Sequence, residues 1–304
     1  MIVIGADGGG TKTALAAYRD GIRIAQAVSG PLNYRVLTPE EAVRNLTDGL
    51  LSLGVNLGEI SAVGIADPSL DDAAEEGDPA ADRFYTLLRS ALPCPVFGRS
   101  DAYITLFGLT EGKEPGVLVI SGTGAMGIAE NEAGEIRVAG GWGRLTGDEG
   151  SGYYIASESI RAALRAADGA APPTRLTDAL VRFFGAPSPR GLIPILYGDP
   201  APDIAAFSRE AAKCAEEGDG EALSILRDAG EWLARYAAVL VKWSGCRTVG
   251  IWGSVLTGNS VVRGNFEKSL RKTSGEIEVR IPPAPAEEAA ARYAEICLNR
   301  KKEF

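Results

Sequence analysis

Residues 5–13 read GADGGGTKT, a stretch whose glycines, threonines and lysine could bind a phosphate. A Walker A loop would need Gly-Lys-Ser/Thr and then a helix, and a dinucleotide-binding loop would need GxGxxG before a helix. Here Thr11 separates Gly10 from Lys12, and the residues beyond alternate as a β-strand does. Because an apolar run also precedes the glycines, the pattern predicts a strand, a glycine turn and a second strand.

Such a hairpin can bind a phosphate because glycine lets backbone N–H groups approach an anion closely. The residues predicted to hold the phosphate are Gly8, Gly9, Gly10, Thr11, Lys12 and Thr13. Asp7, at the end of the first strand, would lie beside it and suits a hydrated Mg²⁺, which prefers carboxylate oxygen. A plain β-hairpin is the alternative, but a turn of about two residues would suffice for that.

Residues 122–127 read GTGAMG, which matches GxGxxG after the apolar strand GVLVIS. The residues that follow alternate and turn at EAGE, so the sequence offers no helix N-terminus for a pyrophosphate. We therefore expect a second phosphate-binding hairpin, which is formed by Gly122, Thr123 and Gly124 and faces the first.

A third glycine-rich stretch, GGWGRLTGDEGSGYYIA, covers residues 140–156. One interpretation makes Asp148 or Ser151 the N-cap of a helix and Trp142 a core residue. The other makes the stretch a sugar site, because aromatic faces stack on sugars and carboxylates accept hydrogen bonds from hydroxyls. Beside two phosphate hairpins, the sugar site is the favoured interpretation.

The composition narrows the class of protein. The chain has 304 residues, 45% of them apolar and 23% charged, which is enough for two soluble domains. Its net charge of −9 disfavours nucleic acid and anionic membranes as partners. No signal peptide or membrane-spanning run is recognisable and the four cysteines are widely spaced, so we expect a cytoplasmic protein with reduced thiols. With no histidine present, any proton transfer must use Asp, Glu, Lys, Tyr or Cys.

The elements that must position these residues repeat along the chain. The first third reads as three strands, a helix, a strand, a helix and a strand, with Thr38 as N-cap and Pro39 at the first position of the first helix. The same order recurs from GVLVISGTG onward, interrupted by a helical insertion at 149–245. The sequence therefore predicts an α/β fold built from two duplicated βββαβα units.

Two facing phosphate hairpins in duplicated βββαβα units resemble the sugar kinase/actin/Hsp70 superfamily. Its motifs appear here in order as DGGGTKT, SGPLNY, SD at 100–101, ISGTGA, GGWGRLTGDEGSGYYIA and GIWGSV. This set resembles the N-acetylglucosamine kinase branch of the BadF/BadG/BcrA/BcrD-type ATPase family. The long match from GGWG to GDEGSGY is its most specific part.

The resemblance implies two ribonuclease H-like, actin-like ATPase domains with an interdomain cleft. They would cover residues 1–103 and 104–286, with the insertion in the second, and a C-terminal helix at 287–304 would pack back on the first. The resemblance further implies ATP and Mg²⁺ as cofactors and a homodimer. The implied reaction transfers the ATP γ-phosphate to the 6-hydroxyl of a small-molecule sugar, N-acetylglucosamine.

Individual residues also receive roles from the resemblance. Asp101 falls where the family places its catalytic base, and Gly253 and Ser254 would lie beneath the adenosine. The implied sugar-binding residues are Asn33, Asp101, Gly141, Trp142 and Asp148. From the local sequence alone, Asp101 could equally be the N-cap of a helix that starts near Ala102.

Three positions depart from the family pattern and keep alternatives open. ADPSLDD at 66–72 replaces a glycine-containing loop, Ala125 stands where serine is common, and Glu287-Glu288 replaces a typical Gly-Ala pair. The first lies near the sugar side, so a broad hexokinase or a glucosamine kinase stays open. So do a non-catalytic sugar sensor and the family's ATPases that activate radical dehydratases through a [4Fe-4S] cluster, although no cysteine lies just beyond the second hairpin.

Overall fold

The computed structural model describes residues 1–70 and 78–300. The strands are β1 (Ile2–Asp7), β2 (Thr13–Arg19), β3 (Ile22–Ser29), β4 (Ile60–Ala66), β5 (Val96–Arg99), β6 (Gly116–Ser121), β7 (Ala125–Glu130), β8 (Ile136–Gly140), β9 (Thr248–Trp252) and β10 (Glu278–Arg280). The helices are α1 (Pro39–Ser52), α2 (Pro79–Ala91), α3 (Asp101–Thr110), α4 (Gly152–Ala167), α5 (Leu176–Phe184), α6 (Ile193–Leu196), α7 (Ser208–Glu216), α8 (Gly220–Ser244), α9 (Ser254–Gly258), α10 (Ser260–Ser274) and α11 (Ala286–Arg300). Residues 71 and 72 of the atypical loop and 301–304 of the expected C-terminal helix lie outside the described residues.

The chain divides into two compact units, each with a five-stranded sheet. The first contains Met1–Pro115, Gly134–Ile136 and the chain from Pro282 onward, and the second contains Gly116–Ala133 and Arg137–Ile281. The strand orders are β3-β2-β1-β4-β5 and β10-β9-β6-β7-β8. In each sheet a meander of three consecutive strands is extended by two strands parallel to its first strand. This duplication confirms the predicted α/β fold of two βββαβα units.

In the first unit, helix α1 begins where the sequence predicts. The Thr38 side chain accepts a hydrogen bond from the Glu41 N–H, and the Glu41 carboxylate accepts one from the Thr38 N–H, which completes a capping box. The apolar face of α1, including Leu46 and Leu50, is fully buried beneath the sheet. A capped amphipathic helix therefore covers one face of the sheet.

Helix α11 covers the other face of the same sheet and contacts β1 and β4 through their backbones. A Cβ on Gly5 would lie 1.7 Å from the Glu287 carbonyl oxygen, and one on Gly64 would lie 1.9 Å from that of Ala290. Only glycine fits at such a distance. The close packing brings the first turn of α11, with Glu287, towards the Asp7 end of β1.

The second unit is larger because helices α4 to α8 lie between β8 and β9. Their apolar faces join the sheet in one core, in which Val117, Phe207, Leu233 and Ile251 are at most 1% exposed. Over residues 1–70 and 78–300, no helix is long and apolar enough to cross a membrane.

Candidate active site

Three aspartates follow three neighbouring parallel strands of the first unit. Asp7 ends β1, Asp67 follows β4, and Asp101 follows Ser100 at the end of β5. Register pairs Asp7 with Ala66, and Ala66 with Arg99, so the carboxyl ends of these strands meet at one edge. The sheet topology thus gathers carboxylates from distant parts of the sequence.

Burial and the neighbouring carboxylates shift the pKa of Asp7. Burial raises the pKa of Asp7 to about 6, and the negative charges of Glu287, Asp101 and Asp67 contribute to the increase, while Lys12 opposes it. A carboxylate that is surrounded by other negative charges attracts a cation. No group of three or more Asp, Glu or Cys side chains that could hold a metal occurs in the described ranges. Asp7 suits a hydrated Mg²⁺, because that ion keeps most of its waters and needs only one or two protein carboxylates.

The first glycine stretch forms the predicted hairpin, with Asp7 paired to Ala14 across the β1–β2 ladder. Gly8 is not open to a ligand, because its N–H bonds to the Ala66 carbonyl at 2.7 Å. The Thr13 hydroxyl is also engaged, donating to the Gly30 carbonyl at 2.8 Å. Gly10, Thr11 and Lys12 are exposed and Gly9 is half-buried, so residues 9–12 form the open part of the turn.

The segment with Asn33 runs beside this hairpin. The Leu32 N–H donates to the Gly9 carbonyl at 3.2 Å, which joins the segment to the turn. The Asn33 side-chain oxygen accepts a hydrogen bond from the Arg35 N–H at 3.0 Å. The bond thus fixes the orientation of the Asn33 side-chain amide, with its oxygen and not its nitrogen facing the Arg35 N–H.

Asp101 is the first residue of α3, and Ser100 is its N-cap. The Ser100 hydroxyl accepts from the Tyr103 N–H at 3.1 Å, whereas an Asp101 carboxylate oxygen accepts from the adjacent Ala102 N–H at 2.9 Å. The alternative interpretation of Asp101 as the N-cap is therefore wrong. Serine fills that position because its short hydroxyl reaches the third N–H of the helix.

The second glycine stretch also forms the predicted hairpin. β6 ends at Ser121 and β7 begins at Ala125, so Gly122, Thr123 and Gly124 make the turn. The carbonyls of Gly122 and Thr123 accept hydrogen bonds from Gly152 and Tyr153 of α4, at 2.7 and 3.2 Å. Because a strand follows the glycines directly, this GxGxxG does not open a dinucleotide-binding helix.

The loop from 140 to 151 presents Trp142 to solvent, with 78% of its surface exposed. The interpretation of Trp142 as a core residue is therefore wrong. Of the two candidate caps, Ser151 is the N-cap of α4, and its hydroxyl accepts from the Tyr154 N–H at 3.0 Å. Asp148 instead lies in the left-handed region, at φ 58°.

The Asp148 carboxylate joins this loop to the second hairpin. It accepts the Gly143 N–H at 3.1 Å, and its other oxygen lies 2.9 Å from where a Cβ on Gly124 would be. Burial raises the pKa of Asp148 and the Glu149 charge raises it further, while hydrogen bonds from the Gly143 and Ala125 N–H groups oppose this. Asp148 thus has a part in holding the loop in place.

A cavity of about 270 Å³ within the second unit opens beside this hairpin. One wall contains Gly122, Thr123, Gly152, Ser254 and Asn259, and the other is formed by side chains of residues 203–216. Gly253, at φ 91°, lies beneath the hairpin, where a Cβ would be 2.4 Å from the Ser121 carbonyl oxygen. The structure therefore brings the residues of the second hairpin and of the GIWGSV motif to one cavity.

Sequence reasoning missed the second wall of this cavity. Arg209, Ala212, Lys213 and Glu216 line it from one face of α7. Their spacing is the signal that could have found them, because residues three, four and seven positions apart share a helix face. It was missed because the same spacing is typical of any amphipathic helix.

Tyr236 of α8 was missed as well. Its hydroxyl donates to the Glu149 carboxylate, and a Cβ on Gly140 would lie 3.1 Å from its ring. Tyr236 thus supports both ends of the Trp142 loop from a position far along the chain.

Two units with the same strand order, each with a glycine turn between its first two strands, are the architecture of actin-like ATPases. The chain matches the BadF/BadG/BcrA/BcrD ATPase family over residues 4–291, and it belongs to that family.

Relatives with curated names cover most of the chain. An N-acetylmuramic acid/N-acetylglucosamine kinase of Clostridium acetobutylicum is 34% identical over 238 residues, 76% of each chain. An N-acetyl-D-glucosamine kinase of Dictyostelium discoideum is 30% identical over 277 residues, 86% of each chain. Among solved structures, a candidate N-acetylglucosamine kinase from Chromobacterium violaceum shares the fold at a TM-score of 0.74 and 24% identity, covering 95% of this chain and 97% of that one.

Proposed function

We propose that the chain is an ATP-dependent sugar kinase that phosphorylates the 6-hydroxyl of N-acetylglucosamine. The observation that carries the proposal is the arrangement within the first unit. An open glycine turn with Asp7 follows β1, and Asp101 lies beyond the carboxyl end of β5, at the same edge of the sheet and separated from β1 by β4 alone. Membership of an ATPase family supports the nucleotide, and the names of the two curated relatives support the acceptor.

Asp101 is the proposed general base. It accepts the proton of the sugar 6-hydroxyl as that oxygen bonds to the γ-phosphorus and the bond from phosphorus to the bridging oxygen breaks, which releases ADP. The N–H groups of the open turn, at Gly9, Gly10 and Thr11, offset the charge that develops on the phosphoryl oxygens. Asp7 would hold Mg²⁺ through water, and the ion would supply positive charge at the phosphates.

The second unit supplies the proposed nucleoside site. The cavity beside Gly122, Thr123 and Gly124 takes the nucleoside, with Gly253 and Ser254 as its floor. Glycine is required at 253 because any side chain there would collide with the Ser121 carbonyl.

The proposed sugar-binding groups are the Asn33 amide, Asp101, and the Gly141–Trp142 stretch with Asp148. The Asn33 oxygen accepts from Arg35, so its amide nitrogen is the group that we assign to a sugar hydroxyl or carbonyl. The exposed Trp142 ring offers an apolar face on which a sugar can stack.

Replacing Trp142 with alanine should raise the KM for the sugar by about tenfold or more and leave the KM for ATP within about threefold. The melting temperature should not fall, because the side chain is 78% exposed. Leu145→Ala is the matched control, since Leu145 lies in the same loop and is 85% exposed. Equal changes in the KM of both substrates, or an equal effect from Leu145→Ala, would contradict a sugar-stacking role.

The site of phosphorylation can be read directly from the product. After reaction with ATP and N-acetylglucosamine, the phosphorus NMR signal should show coupling to the two protons on C6. Coupling to the proton on C1 or C3 instead would refute the proposed regiochemistry.

The family's radical-enzyme activators are the candidate from another class. An activator would purify under anaerobic conditions with bound iron, whereas the proposed kinase contains none. We also propose a cytoplasmic homodimer, as the resemblance implies, and light scattering of the purified protein tests the dimer.

A further inference from the structure

Asp67 lies in the atypical loop after β4, and none of the motifs assigns it a role. It is buried, with 1% of its surface exposed. Its Oδ1 accepts hydrogen bonds from the Ser69 N–H at 2.8 Å and from the Ser69 hydroxyl at 2.5 Å. Its Oδ2 is buried and has no hydrogen-bond partner within the described part of the chain.

The unpartnered oxygen lowers the stability of the folded state. A buried acceptor without a donor costs on the order of 1–3 kcal/mol, and more when it is charged. Burial raises the pKa of Asp67, and the hydrogen bonds from Ser69 and the charge of Arg35 oppose the increase without cancelling it. Costly local arrangements of this kind are expected where a protein has a functional requirement.

The unpartnered oxygen lies against the first phosphate hairpin. A Cβ on Gly8 would be 2.4 Å from Asp67 Oδ2 and 2.9 Å from the Leu32 Cβ. The absence of a side chain at Gly8 therefore makes room for Asp67 and Leu32 together. Asp67 packs against the base of the hairpin and leaves its open part, residues 9–12, for a ligand.

Asp67 is also joined to the segment that carries Asn33. The Ser69 carbonyl accepts a hydrogen bond from the Tyr34 hydroxyl at 2.7 Å. On the other side of Asn33, Leu32 packs at Gly8 and donates to the Gly9 carbonyl at 3.2 Å. Both neighbours of Asn33 are thus held by groups that Asp67 contacts.

The second unit repeats this arrangement. Asp148 accepts a backbone N–H from the Trp142 loop with one oxygen, and its other oxygen lies against Gly124 of the second hairpin. In both units an aspartate therefore links a phosphate hairpin to a proposed sugar-binding segment. Because Asp67 and Asp148 lie in unrelated local sequences, the recurrence of this link argues that it has a function.

We propose that Asp67 is a positioning residue that ties segment 31–35, and with it Asn33, to the first phosphate hairpin. The inference rests on the proposed function, in which Asn33 binds the acceptor sugar. Asp67 does not touch the sugar. It holds Asn33 where its amide can meet the sugar, so loss of the link should weaken sugar binding more than it slows the chemical step.

Two substitutions separate positioning from simple packing. Asp67→Ala removes both Ser69 hydrogen bonds and the contact with Gly8, and it should raise the sugar KM by about tenfold or more, with kcat and the ATP KM within about threefold. Asp67→Asn keeps the shape and the Oδ1 acceptor but removes the charge. It should stay within about threefold of the wild type in all three constants and melt at the same temperature or higher.

Amide hydrogen exchange tests the same link without relying on catalysis. Asp67→Ala should speed exchange at the Leu32 amide, which bonds to the Gly9 carbonyl, and at the Val36 amide, which bonds to the Asn33 carbonyl. Asp48→Ala, at an exposed position of α1, is the control and should change neither exchange nor kinetics.

Failure of the positioning role and failure of the proposed function would give different results. A sugar KM within about threefold of the wild type in Asp67→Ala, or sugar and ATP KM values that rise together, overturns the positioning role. If Asp67→Ala does not fold, Asp67→Ser carries the same measurements with the hairpin contact still removed. A wild-type protein that phosphorylates no sugar refutes the proposed function instead, and unchanged exchange at Leu32 and Val36 would then overturn the link itself.

Discussion

Asp101→Asn is expected to lower kcat by at least about 100-fold while the protein stays folded and still binds ATP. Asparagine keeps the oxygen that accepts the Ala102 N–H, but it cannot take up the hydroxyl proton at neutral pH. The helix keeps its N-cap because that residue is Ser100. Loss of the negative charge in the first turn of α3 should cost only about 0.3–1 kcal/mol of stability.

Steady-state ADP release, thermal melting and ATP titration calorimetry measure these three properties together. Asp82→Asn is the matched control, because Asp82 is an exposed aspartate in the first turn of α2 of the same unit. Turnover by Asp101→Asn within about threefold of the wild type would show that Asp101 is not the base.

Asp7→Asn is expected to make the protein more stable and much less active. Burial and three neighbouring negative charges raise the pKa of Asp7 to about 6 from 3.8, so its ionised form is unfavourable in the folded state. At pH 7.5 the substitution should increase the free energy of unfolding by roughly 1–3 kcal/mol, since a tenfold change in proton affinity corresponds to about 1.4 kcal/mol. Activity should fall by about 100-fold, because the neutral amide holds hydrated Mg²⁺ poorly.

The gain in stability from Asp7→Asn should increase as the pH rises. The folded state binds the Asp7 proton more tightly than the unfolded state, so the contribution of Asp7 to stability is fully present below about pH 3.8 and is lost as the pH rises through about 6. The difference between the wild type and Asp7→Asn should therefore be large above pH 7 and vanish near pH 4. Urea unfolding without Mg²⁺ at several pH values measures it, and an Asn variant less stable than the wild type at pH 7.5 would contradict the account.

The parts of this site that local sequence determines were predictable. Both glycine hairpins follow from an apolar run, glycines and an alternating run, all within about ten residues, because a hairpin depends on neighbours in the chain. Local sequence was less decisive for the helix caps. The sequence offered Asp101 as an N-cap of α3, and only the backbone geometry shows that Ser100 takes that position, with its hydroxyl accepting from the Tyr103 N–H.

Contacts distant in sequence could not be predicted in the same way. The glycine pattern predicts Gly8 as a phosphate ligand, yet its N–H bonds to the Ala66 carbonyl and its missing side chain makes room for Asp67. Tyr236 reaches Glu149 across 87 positions. Pairings of this kind arise from the topology of the sheets and helices, which the one-dimensional pattern of a single chain does not encode.

ATP consumption by the purified protein with Mg²⁺ across a panel of acceptors tests sugar phosphorylation most directly. The panel contains N-acetylglucosamine, glucosamine, N-acetylmannosamine, glucose and N-acetylmuramic acid, with a reaction lacking sugar as reference. ADP release should depend on sugar, and kcat/KM should be highest with N-acetylglucosamine. ADP release that no sugar raises above the reference would contradict the kinase, and a clear preference for glucosamine or glucose would contradict the proposed acceptor.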